Sequence, residues 1–139
     1  MHRIAVFTRN HETHLKEAQT RSQPTAFQSK TRWVGAKKAL EKQKTLKVYI
    51  APIGEQQVTY EGTITKIAFK GQQEIEELLA ARGEGTKNED HWGETVYLVS
   101  NCCPISGASL STLRKARDGI PLSDEYNYSY SLVRERDEP

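Results

Sequence analysis

The stretch from Val58 to Phe69 carries two hydrophobic phases in one run. Val58, Tyr60, Gly62 and Ile64 alternate with Thr59, Glu61, Thr63 and Thr65, the period of two that marks a strand with one buried face. Ile67 and Phe69 continue the apolar series, but on odd positions. A one-residue slip turns every later side chain to the opposite face. A single strand therefore keeps its apolar side inward only with a bulge or sharp bend near Thr65-Lys66. Gly62 permits a close bend as well. Upstream, Val48, Tyr49 and Ile50 run into Ala51-Pro52 and a turn at Gly54, which together predict a long, bent hairpin. Such hairpins belong to small curled sheets and barrels more than to flat sheets.

Around this hairpin the chain reads as a series of short elements. Arg3 to Thr8 is expected to be a strand, Glu12 to Ser22 a short helix and Gln23 to Lys30 a polar loop whose Phe27 must find packing. Ala36 to Lys44 has its small and apolar residues on one helical face. Gln72 to Arg82 presents Ile75, Leu78 and Leu79 as a buried stripe, with Glu74, Glu76 and Glu77 favouring its N-terminal end. Thr95 to Asn101 is apolar on both faces, as a central strand would be. A turn at Pro104 to Gly107, a helix from Leu110 to Arg117 ended by Asp118-Gly119, and a last strand through Tyr126, Tyr128, Tyr130 and Leu132 complete the reading. Residues 134–139 form a charged tail expected to fray. The order suits one domain spanning 1–139, an α+β fold with a small, curled, mostly antiparallel sheet or barrel and peripheral helices.

A chain of 139 residues is long enough for one proper core. No apolar run approaches the roughly 20 residues that cross a bilayer, and no long apolar leader opens the chain. The two cysteines, Cys102 and Cys103, are adjacent and cannot staple distant elements, so a reducing, cytoplasmic setting is the default expectation. The formal charge of +2 hides an asymmetry: residues 1–50 hold 11 Lys/Arg against 3 Asp/Glu, while residues 51–139 hold 9 against 15. A basic N-terminal third folded onto one side would attract phosphate.

Catalytic motifs are harder to find. His11-Glu12-Thr13-His14 lacks the four-residue separation of two metal-binding histidines on one helical face, and vicinal cysteines do not match a structural zinc site. No metal or cofactor is therefore expected. Glu89-Asp90-His91, or Cys102 as a nucleophile, keep open a small nuclease or RNA-modifying enzyme. The acidic helix Glu74 to Glu77 keeps open a protein-interaction module. Aromatic residues among cations point elsewhere. Trp33 sits among Lys30, Arg32, Lys37 and Lys38, and Trp92 sits in a polar loop; a ring that stacks on a base beside cations that hold its backbone is the chemistry of a nucleic-acid site. For either tryptophan taken alone, the plainer reading is a plug at one barrel end with its indole N–H bonded to a carbonyl. Asn10 and Asn101, beside strand ends, are candidates to hydrogen-bond a base edge, and Arg9 is a further candidate phosphate contact.

The run LKVYIAPIGEQQVTYEGTITKIAF, Leu46 to Phe69, resembles the central hairpin of the PUA-like superfamily, particularly its EVE and ASCH branches. Gly62, Ile64 and Ile67 fall in the G-x-[AI]-x-x-[IV] pattern of its long strand. The resemblance implies a small curled barrel, without catalysis of its own, that binds RNA or a flipped, modified base of DNA. It also implies, as one option, a recognition module acting beside an effector such as a nuclease. Its motifs are motifs of fold, and only Trp33 and the strand end at Thr8-Arg9 stand where such a pocket would be.

Overall fold

The computed structural model describes residues 2–86 and 90–136. Six strands, β1 (Ile4–Asn10), β2 (Thr25–Ser29), β3 (Leu46–Pro52), β4 (Gln57–Phe69), β5 (Thr95–Ser109) and β6 (Tyr130–Arg134), form one sheet in the order β2-β5-β4-β3-β1-β6. Three helices, α1 (Glu12–Thr20), α2 (Val34–Gln43) and α3 (Glu74–Leu79), interrupt them. The ladder between β1 and β3 is parallel; the other four are antiparallel. The fold is thus α+β with a mixed sheet. No ladder joins β2 to β6, so the expected closure into a barrel is absent and the sheet stays open.

The phase slip in β4 is a bulge. Ile64 pairs with Val99 and Lys66 with Leu98, so Thr65 is the residue without a partner. Two further register shifts bend the β4–β5 ladder, one between Glu61 and Thr63 and one between Val58 and Tyr60. The last of these absorbs the segment read as a turn at Pro104 to Gly107, so β5 runs unbroken to Ser109 instead of ending at Asn101. Three bulges within one pair of strands supply strong local twist and curl the sheet.

Both faces are covered. On one, Val6, Val48, Ile50, Tyr60, Ile64 and Tyr97 pack with Leu15 of α1 and Ala36 of α2. On the other, Phe7, Tyr49 and Val133 pack under Leu110, Leu113 and Leu122, while Ile75, Leu78 and Leu79 of α3 cover Ala68 and Val96.

Several elements differ from the sequence reading. The polar loop at Gln23 to Lys30 contains β2, because Ala26 and Phe27 find partners in Leu98 and Tyr97. The helix expected from Leu110 to Arg117 is reduced to a single turn, Leu110–Thr112. Beyond it, Arg114 bridges to Pro121 and Lys115 to Val133, since Leu113 and Leu122 are drawn into the same core. The helix at Gln72 to Arg82 is shorter, and the last strand begins only at Tyr130. In the tail, Arg134, Glu135 and Arg136 are held by bonds to the Arg114 carbonyl, the Arg3 carbonyl and the Tyr49 hydroxyl, while residues 137–139 lie outside the described residues.

Candidate nucleic-acid interface

A cavity of about 520 Å³ is lined jointly by β1 and β2, strands that are far apart in the sheet order. Thr8, Arg9 and Asn10, at the C-terminal end of β1, line one side; Ala26 to Lys30, from β2 onward, line the other. Ser129, immediately before the edge strand β6, also lines it, so the site adjoins both unpaired edges of the sheet. A volume of this order suits a small ligand of nucleotide size.

Its walls are held by specific bonds. Thr8 Oγ1 donates to the Ser129 carbonyl at 3.0 Å, which fastens the approach to β6. The Asn10 carbonyl accepts from Ile53 N at 2.9 Å, and Asn10 Oδ1 accepts from His11 N at 2.8 Å. Asn10 lines the cavity with only 8% of its surface exposed, and its amide group has N–H donors as well as the engaged oxygen. Beneath it, the wholly buried Tyr97 hydroxyl faces Thr8 and Asn10 but makes a well-formed hydrogen bond to neither. Burial pushes its pKa up to about 12 against the pull of those two neighbours. Across the cavity, Gln28 Oε1 accepts from both Trp92 N and Gly93 N at 3.1 Å, tying the polar loop to β2. Gly93 allows this approach: a Cβ there would lie 2.9 Å from the Ser29 carbonyl oxygen. Trp92 thereby stands at the mouth with 49% of its surface exposed.

The charged side chains among the described lining residues are all basic. Arg9, Lys30 and Arg82 line the cavity together with His11 and His14, whose rings meet edge to face at 5.3 Å. None of the described lining residues is an Asp or a Glu. Lys30 is exposed at the rim. Arg9 donates to the carbonyls of Glu55, Tyr126 and Tyr128 and to Gln56 Oε1, so it clips two loops together while its charge meets no carboxylate among those partners. Burial lowers its pKa, the price of holding a cation among carbonyls. No family model, curated protein or solved structure matches this chain.

Four of the sequence candidates, Arg9, Asn10, Lys30 and Trp92, meet in this cavity. The others do not. Trp33 is 0% exposed, its ring stacked on Tyr97 at 4.3 Å and Tyr130 at 4.7 Å and its indole N–H bonded to Ser29 Oγ at 3.1 Å. It has no surface to offer a base and serves as a plug of the core. Asn101 is exposed away from the cavity, with φ 56°, where β5 places Asn101 and Cys102 opposite Gly62. Its role is in the backbone, since asparagine tolerates the left-handed region better than most residues. Arg32 and Lys37 both sit over the Phe69 ring, at 4.5 and 5.0 Å, and Lys37 also bonds Gln72 Oε1. Lys38 is exposed on α2, outside the cavity.

The enzyme candidates are dispersed as well. Cys102 is buried and its pKa is pushed up to about 11, first by burial and then by Cys103, which opposes the thiolate a nucleophile needs. Asp90 and His91 do not line the cavity, and Glu89 lies outside the described residues. Among the described residues, no group of three or more His, Cys, Asp and Glu could hold a metal ion. No described helix is long and apolar enough to cross a membrane. Sequence reasoning missed Arg82, which the bridge from Ala26 brings beside β2. It also weighed His11 and His14 only as a metal pair and set that reading aside, although their place directly after β1 was a signal that they crown a strand end.

Proposed function

We propose that this chain binds nucleic acid without acting on it chemically, taking one base into the cavity between the ends of β1 and β2. The single observation that carries the reading is the cavity's composition: Arg9, Lys30 and Arg82 with two histidines, a half-exposed tryptophan at the mouth, and no carboxylate among its described residues. Lys30 and the charge of Arg9 attract phosphate, Trp92 stacks on the base, and the Asn10 amide donates to an acceptor on its edge. Phe27 and Ile53 give the interior an apolar wall, which favours an unstacked base over water. Under the PUA-like reading taken from the Leu46 to Phe69 hairpin, this cavity is the base pocket at the rim of the curled sheet. A modified base in DNA or RNA, presented to an effector protein, is the use that reading implies.

The test is binding of labelled single- and double-stranded DNA and RNA, with and without methylated bases, at roughly 50 and 200 mM salt. Salt-sensitive binding lost in Trp92→Ala is the expected result. Binding that survives both Trp92→Ala and Lys30→Ala would place the ligand elsewhere. A protein inert to every probe at low salt would remove the proposal.

A further inference from the structure

A second basic groove lies along β6, on the far side of a ridge from the cavity. Lys115, Ala116 and Arg117 run beside β6, pinned by Ala116 N to the Leu132 carbonyl at 3.1 Å and by Arg134 N to the Arg114 carbonyl at 2.8 Å. Between this segment and the start of α2 the groove measures about 630 Å³, with Arg32, Lys115 and Arg117 along it and Val34 and Leu132 as apolar lining. None of its described lining residues is a carboxylate. Two acidic residues adjoin its cations along the chain or by an ion pair. Asp118 Oδ1 accepts from Ile120 N, and Glu94 meets Arg32 at 3.8 Å with both partners exposed, a pair of little strength. Val34 is 47% exposed, so the groove has an uncovered apolar surface as well as cations.

The ridge belongs to both sites. Lys30 lines the cavity and Arg32 the groove; Ser129 lines the cavity and Tyr130 the groove. Two residues of chain span at most about 7 Å, within the reach of successive phosphates along a strand. Trp33, next to Arg32 in the chain, stacks on Tyr130 and so ties the two segments together.

We infer that the groove is a second subsite for the same ligand, holding the phosphodiester backbone of nucleotides that flank the one in the cavity. This rests on the nucleic-acid reading of the cavity and extends it: the ligand is a strand crossing the ridge, not a free nucleotide. Cations with no carboxylate among the groove's described lining complement a polyanion, and the exposed Val34 and Leu132 wall fits a sugar or base face in contact with the chain.

The experiment measures the salt dependence of binding of a mixed-sequence single strand of about twelve nucleotides, a length that spans one such domain. The variants are the double change Lys115→Ala/Arg117→Ala and, separately, Trp92→Ala. Arg32 is left intact because it packs on Phe69. The backbone bonds of the 114–117 segment do not depend on the altered side chains, and an unfolding midpoint confirms that each variant is folded. Loss of two phosphate contacts lowers the slope of log K against log salt by about 1.4 for a single strand. Binding of nucleoside monophosphates stays as in the unaltered protein. An unchanged slope in the double variant, with binding still lost in Trp92→Ala, overturns the groove and leaves the cavity standing. Binding weakened in the double variant but untouched by Trp92→Ala keeps the groove as a backbone site and removes the cavity. An unaltered protein that binds no strand overturns both.

Discussion

Trp33 and Trp92 show how one residue type takes opposite roles under different burial. Trp33 has both its ring and its indole N–H satisfied inside the protein, so truncating it opens a large cavity beside Tyr97 and Tyr130. Trp33→Ala is expected to cost about 3–5 kcal/mol of stability, read as a lowered urea midpoint. Trp92, half exposed on a loop held mainly through its backbone, should leave stability within about 0.5 kcal/mol when changed to alanine. It should instead weaken nucleic-acid binding by about 1–3 kcal/mol, the worth of one stacked base. The reverse pattern, a stable Trp33→Ala and an unfolded Trp92→Ala, would exchange their assignments. A basic context around Trp33 was visible in the sequence, but context along the chain does not report which way a ring points. Ser29 and Thr95, which receive the Trp33 indole and backbone N–H, made that choice, and the second of them is 62 residues away.

The β4–β5 pair sets the curvature on which the site depends, and its weak points are backbone positions. At the central bulge Asn101 holds φ 56° opposite Gly62, where an added Cβ would lie 2.6 Å from Val99 Cγ1. Asn101→Gly should be tolerated, whereas Asn101→Val should lose about 1–2 kcal/mol, because a β-branched side chain fits the left-handed region poorly. Gly62→Ala should also destabilise, and Val99→Ala in the same chain should recover part of the loss by vacating the contested space. Denaturant midpoints of the four variants decide the matter; equal stability of Asn101→Val and Asn101→Gly would remove the bulge argument. The existence of this bent pair was legible, since the slip at Thr65 is written as a change of hydrophobic phase. Of the other two bulges, the central one was marked only by Gly62 and the third by nothing. They place extra residues in a stretch of β5 that is largely exposed past Asn101, where no apolar alternation marks the face. For the same reason β2 went unseen: Thr25 and Ser29 are polar residues buried by pairing, not by hydrophobicity.

At the scale of the whole molecule, the sheet's open order and the site's position are one fact. β2 and β1 are separated by three strands in the ladder sequence, and only accumulated twist brings their ends across one cavity. A sequence reading supplies strands and their phases but not that sum of twists, so it named Arg9, Asn10, Lys30 and Trp92 without being able to join them. The core that holds the curl also fixes how stability responds to pH. Burial pushes Tyr97, Tyr49 and Tyr130 up to about 12 from an ordinary value of 10.0, opposed only in part by hydrogen bonds. A group with a raised pKa keeps its proton in the folded state after the unfolded chain has lost it. Its contribution to stability is therefore complete below about pH 10 and is lost progressively as pH climbs toward about 12. The urea midpoint should hold steady to about pH 9 and then fall, a window in which a protein with exposed tyrosines would show a weaker decline. Tyr97→Phe isolates the buried share. Its hydroxyl has no well-formed bond to lose, so stability near neutrality should change by no more than about 1 kcal/mol. Above pH 10 the variant should decline less steeply than the unaltered protein. Parallel declines would show that the Tyr97 hydroxyl reaches solvent through the cavity above it, and the floor of the proposed base pocket would then be open.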